Sequence, residues 1–104
     1  MFPDIVRQEG VLCMHFIHES NRVYVNDDRD ELIAEVTFPN LMGEAVVIDH
    51  TYVSPGLRGG GVASQLMEHA YDEIKGQGKK TYASCPYAVH WFERNKDKRD
   101  ILLS

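Results

Sequence analysis

The sequence predicts an α+β domain, a mixed sheet of about five strands with two helices in the order ββββαβα. Three observations predict it. Four short apolar or alternating runs precede residue 54. The last of them, Ala45 to Val53, feeds a Pro-Gly turn, three consecutive glycines and a stretch with helical apolar spacing. The chain then returns through Thr81 to Ser84, a fifth strand, to a second and shorter helix.

Each element has its own signal. Met1 to Gly10 lacks an apolar pattern and is expected to be a loosely held terminus. Val11 to His18 is a compact apolar run and reads as the first strand. Glu19-Ser20-Asn21 is a turn, and Arg22 to Val25 the second strand. Asn26 to Asp30 is a solvated hairpin loop; as a calcium loop it lacks the required glycine and distal glutamate. Leu32 to Phe38 alternates, with Ala34, Val36 and Phe38 on one face and Glu35 and Thr37 on the other. Ala45 to Val53, bounded by Gly43 and Pro55, is the fourth strand. Val62, Leu66, Ala70 and Ile74 then recur at helical spacing, widened by Ala63 and Met67, until Gly76-Gln77-Gly78 stops the helix. Thr81 to Ser84 runs parallel to the fourth strand through this helical crossover. Ala88 to Asn95 is the second helix, Lys96 to Asp100 a charged solvated face, and Ile101 to Leu103 either a terminal strand or a packed tail.

Length and composition bound the function. A chain of 104 residues reads as one domain, able to bury about two thirds of its unfolded surface. A net charge of −5 disfavours nucleic acid as the main partner, since phosphate backbones are held by basic stripes. Cys13 and Cys85 suggest no disulfide framework, no apolar run reaches the length of a membrane span, and no signal peptide is visible, so a cytoplasmic protein is expected. Scattered histidines without partners at ligand spacing predict no metal site.

The glycine turn carries the chemistry. Gly59, Gly60 and Gly61 lack a Cβ, so the backbone can come close to a ligand. The first amides of the following helix are free, and the helix dipole favours an anion over them. Arg58 adds a fixed positive charge at the same mouth. These features predict a phosphate-binding turn. Neither the dinucleotide spacing nor a Gly-Lys-Ser/Thr loop is present.

From Val53 the chain reads V-x-P-x-x-R-G-x-G-V-A-x-x-L. This resembles the acetyl-CoA signature of the GCN5-related N-acetyltransferase (GNAT) superfamily, R/Q-x-x-G-x-G/A, with Arg58, Gly61 and Ala63 in its defined positions. The resemblance covers about Arg22 to Asn95 and implies a reduced GNAT fold, because Glu19-Ser20-Asn21 leaves no room for the two acceptor-side helices of typical members. The direct hairpin, Ile48-Asp49-His50-Thr51 and a cysteine after the fifth strand are similar to the very small YjdJ-type branch.

The resemblance implies acetyl-CoA as ligand, its pyrophosphate on Arg58, Gly59, Gly60, Gly61, Val62 and Ala63, and its pantetheine arm pairing with backbone near Tyr52 and Val53. It places the acetyl group between His50 and Cys85 and implies an amine acceptor, a small molecule or a protein. The family's usual asparagine and acidic tyrosine are replaced by Cys85 and Phe92, and Phe92 has no proton to donate. Cys85, ahead of a helix N-terminus, is either an acid or acetyl acceptor with a lowered pKa, or a small residue filling space. His50 is either a general base or a histidine hydrogen-bonded within the sheet. Tyr87 is a candidate replacement acid, and His90 a candidate partner for Cys85. Trp91 and Cys13 read as core; His15, His18 and His69 read as surface. Two functions stay open: an acetyltransferase, with or without a Cys85 relay, and a non-catalytic acetyl-CoA-binding module.

Overall fold

A computed structural model describes residues 5–8 and 11–103, with side chains from Met14 onward. Its strands are β1 (Ile5–Gln8), β2 (Val11–Met14), β3 (Ile17–Glu19), β4 (Arg22–Asn26), β5 (Leu32–Thr37), β6 (Ala45–Ile48), β7 (His50–Val53) and β8 (Lys80–Ala83). Helix α1 spans Val62–Gly76 and helix α2 Pro86–Arg94; short 3-10 turns cover Pro55–Leu57 and Lys96–Ile101. The α+β class and the helix positions follow the sequence reading.

Three strand expectations are corrected. Ile5–Gln8 is not a patternless terminus but pairs antiparallel with Val11–Met14, while residues 1–4, 9 and 10 lie outside the described residues. The run from Val11 to His18 is broken at His15-Phe16, so β2 pairs with β1 and β3 with β4. The run from Ala45 to Val53 is broken at Asp49. Before the break, β6 runs parallel to β8; after it, β7 runs antiparallel to β5. One continuous apolar stretch therefore serves two sheet partners in turn.

The core lies between the sheet and the helices. Val23, Val25, Ala34, Val36, Val46 and Ile48 alternate onto one sheet face and are fully buried. Against them pack Leu66, Met67, Ala70 and Ile74 of α1. These sit three and four residues apart, as a single helical stripe requires. Tyr71 widens that stripe and is also buried. Trp91 and Phe92 of α2 complete the cluster. Proline at the first turn sets where α2 begins, two residues earlier than its apolar pattern suggests. At the end of α1, the Gly78 amide donates to the Lys75 carbonyl and the Lys79 amide to that of Ile74, closing the helix.

The charged run at the C-terminus is largely exposed, as expected, and two of its residues also pair with α1. Asp100 accepts from the Tyr71 hydroxyl and from Lys75 Nζ, both at 2.8 Å, and Lys98 Nζ lies 3.3 Å from Glu68. Lys75 is raised well above the ordinary lysine range, first by its hydrogen bond to Asp100 and then by that to Tyr71. Ile101 is buried, and Leu102 bridges Thr81 as a parallel partner at the outer edge of β8. The opposite sheet face presents Arg22, Tyr24, Glu35, Thr37, His50 and Tyr52, none of them buried. Arg22 stacks over the Tyr24 ring and pairs with Glu35 across the strands, which keeps this face compatible with water.

Candidate functional site

The break at Asp49 builds the site. The amides of Ser84 and Cys85 both donate to the Ile48 carbonyl, at 3.0 and 3.2 Å. That is the last link between the parallel strands. Beyond it β7 turns toward β5 while the other chain enters α2, so a gap opens between them. Asp49 sits at the fork: its amide donates to Thr37, and its carboxylate accepts from the Thr37 hydroxyl at 2.7 Å. The aspartate is thereby committed to β5 and is not engaged with His50.

The glycine turn stands at the end of β7. Ser54 ties it to the sheet by donating to the Ile33 carbonyl, and Pro55 opens the short 3-10 turn. Gly59 and Gly61 have φ of +86° and +83°, a region unfavourable to residues with a Cβ. A Cβ added at either would meet nothing within 4 Å, so the space over them is open. Gly61 caps α1, and the first bond inside the helix is from Gln65 to Gly61. The amides of Val62, Ala63 and Ser64 thus lack partners inside the helix. Arg58 Nε donates to the Val53 carbonyl at 3.1 Å, anchoring the guanidinium at the mouth. Two cavities flank the turn. The inner one, about 280 Å³, lies between Val53, the glycines, Ser64 and Tyr87. The outer, about 430 Å³, is walled by Met14, Gly56, Gly60 and Gln65.

Cys85 is the residue before α2 and lies across the gap from β7. Its sulfur is 3.6 Å from the Thr51 hydroxyl. The thiol makes no regular capping hydrogen bond, yet the first amides of α2 act on it as oriented dipoles. Burial alone pushes the Cys85 pKa up. The Ala88 amide, the Thr51 hydroxyl and the amides of Tyr87 and Thr51 outweigh it, and the net shift is downward from the ordinary thiol value.

The expectation that His50 faces Cys85 is not met. Strand register pairs Thr37 with His50 and Val36 with Thr51. Val36 is fully buried on the helix side, so Thr51 shares that side while His50, exposed, and Tyr52 turn to the open face. Thr51 is the residue that sequence reasoning missed; the only signal was its alternation with His50. His90, a candidate partner for Cys85, has its Nδ1 3.4 Å from Glu93 on its own helix. Tyr87 lines the inner cavity, with Arg94 5.8 Å from its ring centre. Trp91 is core, its indole donating to Ser64 Oγ at 3.1 Å, and Phe92 is buried beside it. The Cys13 side chain lies outside the described residues. Among the described residues no group of three His, Cys, Asp or Glu side chains could hold a metal ion, and no helix is long and apolar enough to cross a membrane.

Replacing Thr51 by valine is expected to move the alkylation profile of Cys85 with iodoacetamide to higher pH, because a hydrogen bond favouring the thiolate is lost. Thr51→Ser should restore the wild-type profile. Superimposable profiles for wild type and Thr51→Val would show that the hydroxyl does not act on the thiol.

A parallel strand pair that parts beside a glycine-capped helix is the architecture of an acyl-CoA-type acyltransferase fold. Residues 22–101 match the GCN5-related N-acetyl-transferase family, and the chain belongs to it. A GCN5-like protein from Staphylococcus aureus is 30% identical in sequence, with a TM-score of 0.70 over 86% of this chain and 87% of that one. N-acetylglutamate synthase from Neisseria gonorrhoeae, solved with coenzyme A and N-acetyl-glutamate, is 21% identical with a TM-score of 0.59; it shares the fold over 72% of this chain and 18% of its own. The ribosomal-protein-S18-alanine N-acetyltransferase of Escherichia coli shares the fold at 16% identity and a TM-score of 0.58, over 76% of this chain and 54% of its own. No curated protein matched the sequence.

Proposed function

We propose that the chain binds acetyl-CoA and transfers its acetyl group to an amine. The observation that carries this reading is the fork at Asp49, after which β7 leaves the parallel pair, with the glycine turn following β7 and the Cys85 sulfur 3.6 Å from Thr51 on that strand. The residues fit the ligand. Open space over Gly59 and Gly61, the free amides of Val62 and Ala63 and the charge of Arg58 suit a pyrophosphate. Val53 lines the inner cavity, and in this reading the backbone near Tyr52 and Val53 pairs strand-like with an amide-bearing arm. Acetyl-CoA, when bound, supplies an activated thioester carbonyl.

In this reading Cys85 is the acetyl acceptor on the protein. Its thiolate forms an S–C bond to the acetyl carbon as the CoA thiolate departs. The amine nitrogen then forms the N–C bond, the Cys85 thiolate leaves, and the amine proton passes to solvent. Thr51 and the first amides of α2 hold the negative charge on sulfur before the first step and again after the second, when the thiolate is free. Tyr87 is on the wall of the inner cavity, and in this reading it contacts the acyl arm or serves as an acid. His50, on the far face, is given no part in the transfer.

Native mass spectrometry with acetyl-CoA tests the proposal. The expected result is a complex that, on ligand ejection, leaves one acetyl on the wild-type protein and none on Cys85→Ala. Absence of any complex overturns ligand and reaction together. A complex that leaves no acetyl, with no turnover over a broad amine panel, makes the chain a non-catalytic acetyl-CoA-binding module, a reading favoured by the phenyl ring of Phe92 where an acid would stand.

A further inference from the structure

A strand side chain meets two side chains of α1 more than fifty residues further along the sequence. His69 and Glu73 are four residues apart and therefore share one helix face. His18, on β3, lies against both. Its Nδ1 is 2.8 Å from Glu73 Oε1, and its Nε2 is 2.9 Å from His69 Nδ1. Phe16 stacks flat on the His69 ring, with centroids 4.1 Å apart and an interplanar angle of 13°. Gln77 extends the set, donating to Glu73 Oε2 at 2.6 Å and to the Ser20 carbonyl at 2.9 Å. β3 is a three-residue strand whose sheet partner among the described residues is β4, and these contacts tie it to the helix.

The hydrogen bonds impose a proton count. With both rings neutral, His69 Nδ1–H donates to His18 Nε2, and His18 Nδ1–H donates to Glu73. With one added proton, His18 donates on both sides and His69 accepts at Nδ1. With two, both facing nitrogens are donors and both rings are cations. Zero or one extra proton is compatible with the contact; two are not.

We propose that His18 and His69 form a one-proton latch that holds β3 and Phe16 on α1 and opens when the pair takes a second proton. The charged groups around the imidazole pair are mostly engaged elsewhere. Glu73 is held below the ordinary carboxylate range, first by the Gln77 hydrogen bond. Among the described residues, Glu68 and Asp72 of α1 attract a proton to His69, but Glu68 is occupied by Lys98 of the C-terminal 3-10 turn. From the β3–β4 side, Glu19 and Arg22 pair with each other, and Arg22 also with Glu35. His69 is lowered from the ordinary histidine value, first by burial and then by His18. The sign follows: the closed form refuses a proton that the open form accepts, so acid favours opening. The latch adjoins the glycine turn. Met14, just before Phe16, walls the outer cavity, and opening would move that wall.

Long-range proton–nitrogen NMR of the imidazoles, with amide exchange at Ile17 to Glu19, tests the latch between about pH 8 and pH 5. The expected result is that the second proton enters the pair below the ordinary histidine midpoint of about 6.5, with protection of the three amides falling about tenfold as it enters. In His69→Gln that protection should be independent of pH over the range. Independent, ordinary titration of both rings with unchanged protection would overturn the proposal, and the wild-type titration decides it even if the variant does not fold.

Discussion

Replacing Gly61 by valine is expected to weaken acetyl-CoA binding at least about tenfold, read by calorimetry, with α1 still formed by circular dichroism. Gly61 has φ +83°, and a β-branched residue held there costs about 1–3 kcal/mol. The chain escapes that cost by rotating the peptide, which turns the first helix amides away from the cavity. The valine side chain would also stand in space that is now open, since a Cβ at Gly61 meets nothing within 4 Å. Gly60 supplies the contrast. It has no positive φ, and a Cβ there makes only an ordinary contact of 3.5 Å with the Leu57 carbonyl. Gly60→Ala should therefore bind within about twofold of wild type. Equal affinity for Gly61→Val and wild type would mean that the turn is not the phosphate cradle.

Trp91→Ala is expected to be the most damaging single truncation in the core, lowering unfolding free energy by about 3–5 kcal/mol in urea titration. The indole is fully buried, packs edge-on to Phe92 at 5.2 Å, and donates to Ser64. Ser64 lies in the first turn of α1, so truncation also unties α2 from the helix that presents the glycine turn. Trp91→Phe keeps most of the apolar volume and should cost about 1–2 kcal/mol, the indole hydrogen bond being the main loss. A cost below about 1 kcal/mol for Trp91→Ala would show that α2 adds little to the core.

Periodicity made most of the fold legible. The alternation of Leu32 to Phe38 and the stripe through Leu66, Ala70 and Ile74 are local properties, and the structure follows them. The fork at Asp49 was not legible, because a strand that changes partner keeps the same apolar run from Ala45 to Val53. That one break also reverses which of His50 and Thr51 meets Cys85, and so the membership of the site. The imidazole pair was hidden for a different reason: His18 and His69 are 51 residues apart, and no local pattern announces a contact over that span. In the C-terminal run the charges are largely exposed, as the composition indicates, but their pairing partners on α1 are distant in sequence and carry no local signal.

The partner exchange at Asp49 also bears on how the protein behaves when empty. Past Ile48, the side of β7 away from β5 has no neighbouring strand among the described residues. Such a margin is a template for any extended backbone, including that of another copy. A bound pantetheine arm would occupy it and, by binding only the folded state, also raise the melting temperature. Ligand-free stocks should therefore self-associate with increasing concentration and disperse on addition of CoA, which on the proposed reading would make the ligand a guard against aggregation.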